Sequence, residues 1–246
     1  MNILLLLIPT CLILSSNNAA LPKHCVRKTP VHFDFCAQLP DKIEVRPSAE
    51  FIGCLYYTIK EEHERGYRIG NISDRGIIIS EDSCYTIRKH VFLVITESGR
   101  YIEVDRSRKD RNGKVVKTIE EFYKGNGDFT YYEVDRDPVK FNLLRPRFTQ
   151  LLDEFVICTG VVKYYIKESL VNGLIIGIVK YGDFILDANV EGVIYKYVIV
   201  DRNINNITVT SYMQNATRID KIFGYVGGME PFVLLHEFVF DIFLSR

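Results

Sequence analysis

The chain has no net charge: 31 lysine and arginine residues balance 31 aspartate and glutamate residues. It therefore has no global attraction for a phosphate backbone or an anionic membrane, and nucleic-acid binding is not expected. Only 8 prolines and 16 glycines occur, too few for a collagen-like or long low-complexity tract. Cys-x-x-Cys spacing is absent, which removes the usual zinc-ribbon reading. No Gly-x-Ser-x-Gly elbow, phosphate-binding glycine loop or dinucleotide fingerprint is present. With 47% hydrophobic residues over 246 positions, the chain can nonetheless bury one large core or two small ones.

Long apolar runs are equally scarce. Asn2 to Ser16, reading NILLLLIPTCLILSS, is the one clear case. It has the length of a signal-peptide core and falls short of the roughly 20 residues that span a bilayer. Residues 1–20 are expected to be a cleaved signal, and the product to be secreted or surface-exposed, without a transmembrane span. Cys11 leaves with the signal, so Cys25, Cys36, Cys54, Cys84 and Cys158 remain. Proximity in sequence favours Cys25 with Cys36 and Cys54 with Cys84 as disulfides. Cys158 is then left over, buried, exposed or available to link two chains. Asn71-Ile-Ser, Asn206-Ile-Thr and Asn215-Ala-Thr are glycosylation candidates.

Self-comparison is more informative. An offset of about 107 places Gly53, Tyr57, Ile59, Lys60, Glu61, Gly70 and Lys89 on Gly160, Tyr164, Ile166, Lys167, Glu168, Gly177 and Lys196. Pro30 to Asp34 matches Pro138 to Asn142 with a shift of one residue, and Tyr123-Lys124-Gly125 answers Tyr225-Val226-Gly227. The chain is expected to be two copies of one module, residues 21–137 (core 30–137) and 138–246. Each copy reads as strands. His90 to Ile95 and Val193 to Val200 are β-branched and aromatic, and Asn112-Gly113 and Asn172-Gly173 are tight-turn pairs. The expected fold is mainly β, two tandem antiparallel modules, each a sandwich or small open barrel. Two segments carry helical signals. Phe148, Leu151, Leu152, Phe155 and Val156 follow helical spacing within 147–157, and Pro231 precedes an apolar C-terminal stretch at 232–244.

The order of segments resembles a known family. Val31 to Asp34, Lys42 to Val45, Tyr56-Tyr57, Gly66 to Ile72, Ile77 to Ile79, Cys84 and Phe122 to Gly127, with counterparts from Val139 to Leu186, look like the FAINT domain. That domain recurs, often in tandem, in secreted proteins of Theileria-type apicomplexan parasites. The family's usual tryptophan after the Ile strand has no counterpart here. The resemblance implies a secreted or surface protein exported toward the host cell that engages host proteins, and it implies no catalytic activity; no cofactor is expected.

The residues themselves point the same way. None of His24, His32, His63, His90 and His236 has a second histidine at ligand spacing; His236-Glu237 begins like a zincin helix, but Phe240 stands where the second ligand belongs. Adjacent His24 and Cys25 mimic a base and nucleophile, although a disulfide at Cys25 fits better. Tyr-x-x-Val-Asp-Arg, ending at Arg106, Arg136 and Arg202, reads as strands leaving the core through an Asp-Arg turn. Arg106, Arg108, Lys109 and Arg111 form a candidate contact loop for a protein partner. Non-enzymatic partner binding is the leading expectation. A lipocalin-like carrier of an apolar ligand and a secreted hydrolase without a recognisable motif are the alternatives.

Overall fold

The computed structural model describes residues 25–47, 53–144 and 150–242. The expected signal segment, Cys11, His24 and Phe148 lie outside them. The first copy contains β1 (Thr29–Asp34), β2 (Ile43–Pro47), β3 (Cys54–Ile59), β4 (Tyr67–Asp74), β5 (Ile77–Ser80), β6 (Thr86–Thr96), β7 (Gly99–Lys109), β8 (Val115–Gly125) and β9 (Tyr132–Glu133). The second repeats the order with β10 (Asp137–Asn142), β11 (Leu152–Cys158), β12 (Val161–Ile166), β13 (Leu174–Tyr181), β14 (Phe184–Asp187), β15 (Val193–Asp201), β16 (Asn206–Met213), β17 (Thr217–Tyr225) and β18 (Phe232–Asp241).

Each copy is a two-layer sandwich. A three-stranded sheet, β1-β4-β5 or β10-β13-β14, faces a six-stranded sheet, β2-β3-β6-β7-β8-β9 or β11-β12-β15-β16-β17-β18. The small sheet is mixed, unlike the all-antiparallel expectation. β1 runs parallel to β4, and β10 to β13, because β2 and β3 intervene as a crossover through the other layer. Both parallel pairs slip register at the same place, between Val31 and Phe33 and between Val139 and Phe141. The bulge is common to both copies; the one-residue shift arises after it, since 19 residues separate Asp34 from Cys54 and 18 separate Asn142 from Val161. The cores lie between the layers. Phe33, Ile69, Ile72, Val91 and Ile102 fill the first, and Phe141, Ile176, Val179, Val198 and Ile207 the second.

Both helical expectations are overturned. Residues 152–158 pair antiparallel with β12, and Phe232–Asp241 with β17. Apolar side chains at helical spacing were misleading, because Phe155 and Val156 are exposed on an edge strand while only Leu152 enters the core. Strand pairing, a tertiary effect, overrides the local period. Asn172-Gly173 is likewise no hairpin. It ends a 3-10 turn at Glu168–Leu170 that carries the chain from β12 to the other layer. The Asp-Arg turn fits Arg202, whereas Arg106 lies within β7.

The expected cysteine pairing also fails: Cys25 is bonded to Cys84. Cys25 lies just ahead of β1, where Val26 N donates to Cys84 O at 2.7 Å, so the bridge pins the start of the first module to the turn before β6. Cys36 and Cys158 are exposed thiols, and Cys54 is buried at the start of β3.

The two sandwiches meet through Ile119, Ala216 and Ile242. Ile119 N donates to Gln214 O at 2.7 Å. The linker is fixed by Arg136, whose guanidinium grips both carboxylate oxygens of Glu121 at 2.6 and 2.8 Å and donates to Val171 O at 2.5 Å. Both charges are only 8% exposed, so this fork joins β8 of one copy to the other copy through a desolvated pair.

Candidate functional sites

A shared scaffold lets the copies be compared position by position. The repeated lysines are both buried. Lys89 Nζ donates to Gly70 O, Ser80 Oγ and Glu81 O at 2.8, 3.3 and 3.0 Å. Lys196 Nζ donates to Gly177 O, Asp187 Oδ2 and Asn189 O at 2.9, 2.6 and 2.5 Å. The ammonium ties the two layers together across β4–β6 or β13–β15. Asp34 and Asn142 are a second repeated tie. Asp34 accepts from the amides of Cys36, Arg75 and Gly76 and from Ser73 Oγ, and Asn142 bonds both the N–H and the C=O of Gly182. Burial opposes ionisation of Asp34, but these donors outweigh it and lower its pKa to about 2. These are devices of the scaffold.

The copies diverge at one end of the sandwich. Strand register makes Asp74 equivalent to Tyr181, Lys124 to Tyr225 and Tyr131 to Phe232. In the first copy Lys124 pairs with Asp74 and lies over the Tyr131 ring at 4.6 Å, and Arg100 approaches Asp74 at 3.6 Å. Phe35 packs edge-on against Phe33 and Tyr57 at 5.2 and 5.4 Å. That end is filled. In the second copy the ion pair is replaced by Tyr181 and Tyr225, which meet Phe232 edge-on at 4.9 and 5.3 Å, and Leu143 stands in the place of Phe35. The hairpin over it is also shorter, with six residues between Val200 and Ile207 against eight between Leu93 and Ile102. The result is a cavity of about 250 Å³ walled by Tyr164, Tyr181, Tyr225 and Phe232, with Asp201 and Arg202 at its margin. Burial, and Glu154 nearby, raise the Tyr164 pKa against the pull of Arg202.

The copies differ also at the sheet edge. In the first module β9 has two residues, a blunt end. In the second the equivalent strand, β18, has ten residues, of which all but Phe232 are exposed. Its apolar side chains include Val239 at 62%, Leu234 at 49% and Phe240 at 46% exposure. One flank pairs with β17, and among the described residues no strand pairs with the other flank, β18 being last in its sheet. Native edges are usually short, charged or covered; this one is long, has Glu237 and Asp241 as its only carboxylates, and no described strand covers it.

The remaining expectations find their places. Arg106 is held within the fold by Ser80 Oγ, Glu81 O and Glu120 at 2.7, 2.9 and 3.1 Å; Arg108 and Arg111 are exposed and Lys109 is half-buried. The Asn71 side chain accepts from Asp82 N, Asn206 is half-buried at the start of β16, and Asn215 is exposed in the β16–β17 turn. Cys25 is in a disulfide, so the His24–Cys25 pairing is lost. His236 lies on a strand and stacks on Phe238, so the zincin-helix geometry is absent. His90 is buried against Tyr56, and burial lowers its pKa to about 3. Asp34, Cys36 and Asp74 are close enough to share a metal ion, but Asp34 is spent on four donors and Asp74 faces Lys124 and Arg100. The single closed wall that a lipocalin-like carrier needs is absent, since the described strands form four open sheets. No helix among the described residues is long and apolar enough to cross a membrane.

No family model, no curated protein and no solved structure matches the chain.

Proposed function

We propose that the chain is a secreted, non-enzymatic protein of the FAINT-domain type, which binds an extended segment of a partner protein, in a parasite setting a host protein, by strand addition to β18. The observation that carries this is the contrast between copies. One scaffold ends in a two-residue strand, the other in a ten-residue strand with nine exposed residues and no described strand on its outer flank. An extended peptide is the occupant whose own N–H and C=O groups match that flank, and its alternate side chains meet Val239 on one face of the sheet and Phe240 on the other. Exposed apolar surface of this extent marks an interaction site. The Cys25–Cys84 bridge supports an oxidising compartment.

The test is a random-peptide display selection against the full chain, with hydrogen exchange on the bound complex. Expected ligands are extended, alternately apolar peptides that protect the β18 amides. Val239→Lys should abolish their binding while leaving exchange elsewhere unchanged, because this side chain is exposed. Ligands that bind the variant equally, or that protect other surfaces, refute the reading.

A further inference from the structure

The aromatic cavity of the second module supports a second activity, independent of the β18 edge. In the first module, Lys124 carries an ammonium ion onto the face of Tyr131 and pairs it with Asp74. In the second, the ring persists as Phe232, but both charged partners have become tyrosines, so the place of a built-in cation is walled by Tyr181, Tyr225 and Phe232. Aromatic faces attract cations through their quadrupole, most strongly when water is excluded, and such walls suit methylated ammonium groups. The lining itself supplies one charge of each sign, with Glu154 near Tyr164 outside it. Asp201 spends Oδ1 on the Asn203 amide at 2.9 Å, and Oδ2 accepts no hydrogen bond from the described residues. Arg202 is exposed beside Tyr164. A simple cation would meet repulsion from Arg202, and a simple anion would meet Asp201. A ligand with both charges satisfies both.

We propose that this cavity binds a small zwitterion of the phosphocholine type, its ammonium among Tyr181, Tyr225 and Phe232 with Asp201 as counter-charge, and its anionic group on Arg202. The cavity's about 250 Å³ admits one such group and excludes a lipid chain, so a phospholipid would offer its headgroup only.

The experiment is calorimetric titration of the full chain with phosphocholine, choline and inorganic phosphate, alongside co-sedimentation with phosphatidylcholine vesicles. Phosphocholine should bind saturably, choline about tenfold more weakly, and phosphate not measurably. Tyr225→Ala should lose about tenfold and Tyr225→Phe should restore it; Tyr225 is 51% exposed, so the fold tolerates both. Arg202→Gln should bring phosphocholine down to the level of choline. Co-sedimentation together with these losses assigns the ligand to a membrane headgroup, and saturable free phosphocholine without co-sedimentation assigns it to the soluble form. Absence of saturable phosphocholine binding, or equal binding by folded Tyr225→Ala, overturns the proposal. Loss of the β18 peptide interaction leaves it untouched.

Discussion

Replacing Lys89 by methionine should change how stability depends on pH, with a sign fixed by the burial of that lysine. Lys89 is 1% exposed, and its ammonium is satisfied by two carbonyls and a hydroxyl, with no carboxylate in direct contact. Burial, reinforced by Arg106, lowers its pKa from 10.5 to about 7. Between those values the unfolded chain holds a proton that the folded chain has released. Stability therefore rises with pH across that window and is lost as pH falls toward 7, by at most about 1.4 kcal/mol per pH unit. Lys89→Met removes this titration. Near pH 7 its net effect should be small, because three lost donations, roughly 1–3 kcal/mol, are offset by relief of a desolvated charge. From pH 7.5 to 9.5 the advantage of the wild type should grow by about 2 kcal/mol. Urea-dependent hydrogen exchange at several pH values, followed on β4 and β6 peptides, separates the first module from the second. A difference that stays flat with pH, or that shrinks as pH rises, refutes the reasoning.

Lys196→Met should behave differently. Its ammonium contacts Asp187, a carboxylate 2% exposed that is left with Lys221 alone at 2.8 Å, so exchange in the second module should report a loss of about 3 kcal/mol at neutral pH; a loss under about 1 kcal/mol contradicts this. Arg136→Met leaves Glu121, desolvated in β8, with the Tyr101 hydroxyl but no cation among the described residues, and should cost about 3 kcal/mol by urea titration, whereas a change near zero would mean the fork does not hold the linker. Cys25→Ala opens a loop whose ends are 59 residues apart and should cost about 2–4 kcal/mol by the same titration; an unchanged midpoint would show that Cys25 and Cys84 are not bridged.

The repeat was legible because it rests on side chains with fixed jobs. Lys89 and Lys196, Gly70 and Gly177, and Asp34 and Asn142 all align by eye, and the structure assigns each to a tie between layers or a turn. Gly177 shows the constraint clearly, since an added Cβ would come within 2.6 Å of Pro138. The divergent end was not legible. The shorter β15–β16 and β16–β17 hairpins shift the frame in the later strands, so Tyr225 aligns with Tyr123 in sequence but with Lys124 in space. Asp74 falls on Tyr181 at the plain offset, but its partner's change from Lys124 to Tyr225 was hidden by that shift. The β11 and β18 segments misled for a related reason. Edge strands exposed on both faces show no alternation of burial, so their apolar residues can imitate a helical stripe. The disulfide depended on the path of the N-terminal segment beside Cys84, which proximity in sequence does not encode.

An experimental structure of the full chain, with the two sandwiches superposed, tests the duplicated scaffold most directly. β1–β4 should superpose on β10–β13 with the same bulge, Lys89 and Lys196 should each reach the glycine carbonyl of the neighbouring layer, and a long β18 should stand where the first copy has only β9. Halves that fail to superpose, or sheets that close into one continuous wall, would contradict it.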